Sequence, residues 1–335
     1  MARRGSENIR RAGALIGHAV RMTIAVSKLT KEFTTRGRKG ARRTTEAVRG
    51  ISFDIEPGER VAFIGPNGAG KSTSIKILTG ILHPTDGTAT VLGIVPWAER
   101  KRLALRIGSL FGQRSQLWFE LTPRQSYRML AAIYGLSAAD EQRRVGELAE
   151  LLDAADLFDQ PVRSLSLGQR MRCELAACML HEPEVLFLDE PTIGLDLLAK
   201  QRFRELLVTL NEERATTIFL TSHDVADIEH VARRAIVINH GEVIYDDSVA
   251  AMRRSLLGTK LIEVGLQQPV VPLNVLGVET IEHDAHVLKL SVDTSVITIR
   301  DALHAVLDAA GVADISVLDP PLEQVIAEIY EMPRA

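Results

Sequence analysis

Apolar and polar residues alternate strictly along Ile51-Ser52-Phe53-Asp54-Ile55, the two-residue period of a half-buried strand. Thr23-Ile24-Ala25-Val26 reads the same way, while residues 34–45 between them are basic, contain glycine and read as a loop. The two strands predict an antiparallel edge sheet. After the turn Pro57-Gly58 the texture changes to the unbroken run Arg60-Val61-Ala62-Phe63-Ile64, which suits a parallel strand covered on both faces. Residues 185–188, 217–220 and 235–238 repeat that texture, and helical periodicity over 72–82 and between the later strands predicts an α/β core. Residues 123–158, Ala- and Leu-rich with Glu and Arg on the polar faces, show no strand alternation. They predict a helical subdomain, about 115–180, set into that core.

Beyond about residue 255 the pattern shifts again. Residues 261–264 and 286–290 read as strands, and 297–310 and 322–330 as helices, a small α+β appendage over 255–335. No whole-domain repeat and no low-complexity tract interrupts the chain. No apolar run reaches the ~18 residues of a membrane span, so the expectation is a chain that does not itself cross a membrane.

Composition narrows the classes. Aromatics make up only 4% of the chain, too few for the stacking platforms of single-strand binders, and no nucleic-acid partner is expected. Cys173 and Cys178 lack metal-ligand spacing and read as buried thiols of a reducing compartment. The formal charge of −3 conceals an asymmetry: residues 1–49 carry thirteen Lys/Arg against Glu7, Glu32 and Glu46. The basic N-terminal extension, 1–22, reads as a solvated tail or as a patch for anionic headgroups. The weakly apolar stretch from Ala12 to Val20 includes His18 and lacks a clear cleavage site, so it is not read as a signal peptide; Met22 is an alternative start.

The chemistry begins at Gly65-Pro66-Asn67-Gly68-Ala69-Gly70-Lys71-Ser72-Thr73, which fits G-x-x-x-x-G-K-[ST] between a buried strand and a helix. Glycines let successive backbone N–H groups converge on phosphate oxygens, and the following helix adds its positive end. Lys71 is expected to reach the β- and γ-phosphates and the Ser72 hydroxyl to hold Mg²⁺. The strand 185–188 ends in two carboxylates: Asp189 is placed for the Mg²⁺ shell, and Glu190 to polarise a water for in-line attack on the γ-phosphate. Leu165-Ser166-Leu167-Gly168-Gln169 opens a helix upstream, Gly194-Leu195-Asp196 follows the carboxylates, and His223 follows the strand 217–220.

These residues, in this order, resemble the ATP-binding cassette (ABC) ATPases over roughly residues 23–246, the ATP-binding domain being taken as 23–250. The resemblance implies a P-loop NTPase cassette with a parallel-sheet core, an antiparallel β edge and a helical subdomain. By similarity Gln113 looks like the glutamine that contacts Mg²⁺ and the attacking water, and His223 like the switch histidine on the γ-phosphate. Asp196 resembles the D-loop aspartate, Phe33 the aromatic that stacks on adenine, and Leu165–Gln169 the signature. The usual signature is L-S-G-G-Q, and this chain departs from it with Leu167. Ser166, Gly168 and Gln169 retain the hydroxyl, the close backbone approach and the helix N-terminus that, in the family, face the nucleotide of the opposite subunit.

One set of motifs then implies a dimer, with a second copy or a related cassette, sandwiching ATP and Mg²⁺ at the cytoplasmic face of a membrane. The apolar, aromatic stretch of residues 114–121 fits a groove for a short helix of a separately encoded transmembrane permease, with core packing of Trp118 as the competing reading. The whole looks like the cassettes of ABC-2-type multidrug, viologen or lipid exporters. The rivals are a soluble cassette ATPase acting on ribosomes or DNA, and a silent regulatory subunit, which Lys71, Asp189, Glu190 and His223 together disfavour. His83, His181, His230 and His240 show no metal-site spacing.

Overall fold

A computed structural model describes residues 22–36, 42–111, 115–255, 259–267, 275–284, 286–309 and 311–331. Two compact units, Met1–Asp247 and Ser248–Ala335, divide the chain. The first unit runs β1 (Ile24–Arg36), β2 (Arg42–Ile55), β3 (Arg60–Ile64), α1 (Lys71–Leu78), β4 (Asp86–Val91), α2 (Arg100–Ala104), β5 (Ile107–Phe111), α3 (Pro123–Tyr134), α4 (Ala138–Leu151) and α5 (Leu167–Met179). It continues with β6 (Val185–Asp189), α6 (Leu197–Arg214), β7 (Thr217–Thr221), α7 (Val225–Val231), β8 (Arg234–Asn239) and β9 (Glu242–Ser248).

A six-stranded sheet in the order β5-β6-β7-β3-β8-β9 forms the centre, and its β5 to β8 neighbours pair in parallel. A run buried on both faces leaves no polar alternation, because successive side chains enter different cores. Val61, Phe63, Phe187, Phe219, Ile236 and Ile238 face a core shared with α1 and the three-stranded sheet β2-β1-β4. There Phe53, Phe63, Phe187 and Phe219 meet ring to ring, with centroids 5.2–6.1 Å apart. Leu186, Leu188, Ile218 and Leu220 face the opposite way, into a core closed by α3, α4, α5 and α6. Tyr127 is buried in that core and its hydroxyl donates to the Cys173 carbonyl at 2.9 Å.

The second unit carries α8 (Val249–Ser255), β10 (Thr259–Leu266), β11 (Val278–His283), β12 (Val287–Asp293), α9 (Ile299–Ala309), β13 (Val312–Leu318) and α10 (Leu322–Glu331). Its sheet has the order β11-β12-β10-β13 and is antiparallel throughout. Ile262, Val264, Leu288, Leu290 and Val292 make one apolar face against Ala302 and Val306 of α9.

Three expectations need correction. Residues 34–36 and 42–45 are strand, not loop: Thr34 faces Thr44 and Phe33 faces Thr45 across a long ribbon. β-branched threonines stabilise an exposed ribbon without any apolar alternation, so the charge of the segment hid the strand. The predicted helix 72–82 stops at Leu78, since Gly80 takes the left-handed conformation (φ 74) that ends a helical turn. β11 and β13 went unpredicted: both are edge strands, the outward residues of β11 are mostly polar, and in β13 Asp314 and Ser316 interrupt the apolar positions while Val317 and Leu318 are exposed.

Burial pushes the thiols of Cys173 and Cys178 up to about 12. Only the thiolate attacks disulfide reagents. Ellman's reagent at pH 8 is therefore expected to leave the native chain unlabelled and to titrate both thiols after denaturation; labelling of the native chain contradicts this packing.

Candidate functional site

β3 delivers the chain into a loop that its neighbours compress. A Cβ on Gly65 would lie 2.1 Å from the Ile238 carbonyl oxygen, and one on Gly70 would lie 2.5 Å from that of Ala47. Gly68 and Gly70 also hold φ of 82° and 112°, which side chains disfavour. Gly241 N donates to the Ala69 carbonyl at 3.0 Å, so the loop is pinned between β2 and the turn after β8. Pro66 accepts from Ala69 N at 3.1 Å, while Asn67 and Gly68 form the exposed crest. α1 starts at Lys71 with Gly70 as N-cap and no side-chain cap, so its first-turn N–H groups remain open to an anion. Lys71 is buried along its length, and Nζ donates to the Gly65 carbonyl at 2.6 Å. Thr73 is half-buried on the same first turn.

Beside this loop the ends of β6 and β7 bring three oxygens together. Ser72 Oγ donates to Asp189 Oδ1 at 3.3 Å, and Thr221 Oγ1 donates to the same oxygen at 2.7 Å. Glu190 N donates to the carbonyl and the hydroxyl of Thr221, both at 3.1 Å. These bonds hold Glu190 at φ 54, a left-handed conformation costing about 1–3 kcal/mol for a non-glycine residue. The strain turns its carboxylate toward the strand ends, where His223 Nδ1 lies 2.7 Å from Glu190 Oε2. With a carboxylate as acceptor the proton sits on Nδ1, and the exposed imidazole presents Nε2 outward. Thr221 was missed by sequence reasoning. The available signal was a hydroxyl one position past a buried strand run, beside the strand that ends in Asp189.

Ser166, Gly168, Gln169 and Asp196 gather elsewhere on the unit. Ser166 caps α5 in a reciprocal box: its Oγ accepts from Gln169 N at 3.3 Å and its N donates to Gln169 Oε1 at 2.8 Å. Asp196 caps α6 by accepting from Ala199 N at 2.8 Å. A recess of about 260 Å³ joins these residues with Arg172 and Arg202, and no residue of the 65–73 loop lines it. The Leu167 side chain turns back into its own chain, half-buried against the core and so close to Gly194 that a Cβ there would lie 2.9 Å from Leu167 Cδ2. The departure at 167 therefore fastens the signature turn to the 194–196 turn rather than projecting into the recess.

Phe33 is exposed on β1, opposite Thr45 and two residues along β2 from the Ala47 that abuts Gly70, with Lys31 Nζ 5.2 Å from its ring centroid. Gln113 lies outside the described residues. Just beyond it, Glu174 of α5 accepts from Ser115 Oγ and, at 2.9 Å, from Gln116 N, and burial pushes its carboxyl up. Leu117 is buried, but Trp118 and Phe119 are 39% and 56% exposed and lie in the same segment as α3, whose Met129 and Ile133 are 43% and 67% exposed. Core packing thus falls to Leu117, not Trp118. A cavity of about 830 Å³ opens at the starts of the strands, lined by Arg106, Arg144, Glu147 and Glu184, but Arg106 and Arg144 are already paired with carboxylates and no phosphate-loop residue reaches it.

A family profile described as ABC transporter matches residues 48–193. The chain is 31% identical over 214 residues to the ABC transporter ATP-binding protein NatA of Bacillus subtilis, covering 64% of this chain and 87% of that one. It is 36% identical over 221 residues to a Nod factor export ATP-binding protein I of Burkholderia thailandensis, covering 65% and 71%. With the daunorubicin resistance ATP-binding protein DrrA3 of Streptomyces coeruleorubidus it shares 32% identity over 289 residues, 85% of this chain and 91% of that one. Among solved structures, the dimeric ATP-binding cassette MJ0796 in a post-hydrolysis state with ADP and phosphate superposes with a TM-score of 0.59 at 25% identity, covering 68% of this chain and 98% of that one. Agreement at this level with whole ATP-binding proteins, on a chain whose phosphate loop and strand-end carboxylates stand side by side, makes it a member of the ABC transporter family and one of its ATP-hydrolysing subunits.

Proposed function

We propose that the chain is the motor of an exporter, closing on ATP as a dimer of cassettes and driving a separately encoded transmembrane permease from the cytoplasmic face of the membrane. The observation that carries this reading is the convergence of Lys71, Ser72, Asp189, Glu190 and His223 at one end of the parallel sheet. Relatives named for Nod factor export, linearmycin resistance and daunorubicin resistance support the direction of transport. Among the described residues no helix is long and apolar enough to cross a membrane, so the path for cargo belongs to the partner.

In this reading the open N–H groups of Gly68 and of residues 70–73, with the Lys71 ammonium, receive the β- and γ-phosphates, and Phe33 stacks on the adenine. Lys71 exchanges its hold on the Gly65 carbonyl for phosphate oxygens. Ser72 and Asp189 suit Mg²⁺: both offer hard oxygens, and their mutual bond of 3.3 Å is loose enough to open. By the family resemblance, Gln113 is the further residue proposed to contact Mg²⁺. Bound there, Mg²⁺ would neutralise charge on the β- and γ-oxygens. Glu190 takes the proton of the in-line water, and His223, oriented by Glu190 through Nδ1, offers Nε2 to the γ-phosphate. Ser166, Gly168, Gln169 and Asp196 complete the site of the opposite cassette, a reading supported by their separation from their own phosphate loop. The exposed Trp118, Phe119, Met129 and Ile133 receive the permease.

Two measurements test the reading. Glu190→Gln is expected to cut ATP turnover by about 10²–10⁴ while equilibrium binding of Mg-ATP persists; undiminished turnover removes Glu190 from the general-base role. Full-length chain used as bait on detergent-solubilised native membranes is expected to recover an integral-membrane protein. Replacing Trp118 and Phe119 with alanine should weaken that capture about tenfold or more. Recovery of ribosomal or chromatin material alone refutes the exporter assignment.

A further inference from the structure

Behind the carboxylate–histidine pair lies a buried acid to which the reading above gives no task. Asp227 of α7 is 1% exposed, yet it is not a solitary charge. Its Oδ2 accepts from Thr192 Oγ1 at 2.5 Å and from Ser222 Oγ at 2.7 Å, and its Oδ1 accepts from Arg204 Nε at 2.6 Å. Each donor belongs to a different segment of the site. Ser222 immediately precedes His223. Thr192 lies between Glu190 and the 194–196 turn, and Arg204 lies on α6, which Asp196 caps. Arg204 also reaches Asp224 Oδ1 at 3.1 Å, closing the network on the first residue of the α7 cap.

A buried carboxylate–guanidinium pair generally stabilises a fold no better than well-packed apolar residues would. Its distinctive contribution is direction, since three charge-assisted bonds to one carboxylate fix three segments at defined distances. We propose that Asp227 is a positioning residue for hydrolysis: it locks the Ser222-His223 turn and the Thr192 turn to a common point, keeping the imidazole on the Glu190 carboxylate. This inference rests on the roles assigned above to Glu190 and His223. The same lock joins the Ser222-His223 turn to Thr192, and through Leu195 N, which donates to the Thr192 carbonyl at 3.2 Å, to the 194–196 turn.

The test uses full-length Asp227→Asn, whose amide fits the same space but carries no charge. Turnover per nucleotide-binding site, with sites counted by titration, is expected to fall roughly tenfold or more, with KM and the Kd for Mg-ATP within about twofold of the parent. Loss of folded protein alone would lower the site count and leave turnover per site intact, and that result overturns the proposal. Ser222→Ala removes one limb only. It is expected to lower turnover per site less than Asp227→Asn, and to add nothing further in the Asp227→Asn background, because both delete the same restraint. Additive losses overturn the proposal. Should Asp227→Asn fail to fold, Ser222→Ala and Thr192→Val decide the matter, and full turnover per site in both refutes the lock. Full turnover in Asp227→Asn beside a dead Glu190→Gln defeats this inference alone, whereas an active Glu190→Gln defeats the reading beneath it.

Discussion

Backbone N–H groups can grip a phosphate only if they are left without partners and at the same time prevented from moving to find them. In this chain the Ile238 carbonyl presses on Gly65, the Ala47 carbonyl presses on Gly70, and Gly241 ties down Ala69, so the loop is wedged between strands from two different sheets. The uncapped start of α1 follows directly. In most helices a serine, threonine or aspartate satisfies those groups, and α3, α5 and α6 here are each capped that way. The contrast identifies α1 as the one of these helices whose open end is available for a ligand, and the core of aromatic rings beneath it keeps that end in place.

The carboxylates depend on the same frame. Because β6 and β7 run parallel in register, Asp189 pairs with Thr221 across the strand ends, and one threonine hydroxyl both donates to Asp189 and receives Glu190 N. Asp189 is thereby aimed at Ser72 while Glu190, bent through a left-handed turn, is aimed at His223. Two adjacent acids acquire different neighbours from a single dihedral angle. That division suits one acid to an oxygen-ligated cation and the other to a proton.

What was legible in the sequence was whatever a local pattern dictates. The phosphate loop needs its glycines within nine consecutive positions, the buried strands need uninterrupted apolar runs, and the caps of α5 and α6 are written in Ser166 and Asp196. Thr221 and Asp227 were illegible for the opposite reason. Their partners arrive from the ends of other strands, Asp189 and Thr192 among them, and a lone hydroxyl or acid in the sequence carries no mark of that convergence. The β1–β2 ribbon was misread because exposed threonines stabilise a strand without apolar alternation. Leu167, the departure from the usual signature, is a packing residue lying against Gly194, a contact that the local pattern does not reveal.

That packing bears on how the two halves of the machinery communicate. Leu167 joins the signature turn to the 194–196 turn, and Thr192, two residues earlier, is bonded to the carboxylate that also holds Ser222. A continuous line of contacts therefore runs from Ser166 through Leu167, Gly194 and Thr192 to Asp227, Ser222 and His223, all within one chain. Ser166, at the end of this line that a neighbouring cassette could touch, and Asp196 beside Gly194 are exposed, while Thr192, Ser222 and Asp227 are buried. Close-packed buried groups pass on a displacement instead of absorbing it. A nucleotide arriving from outside at the exposed end would thus be registered at the imidazole without touching it, which is the property a paired ATPase needs if its two sites are to fire in relation to one another.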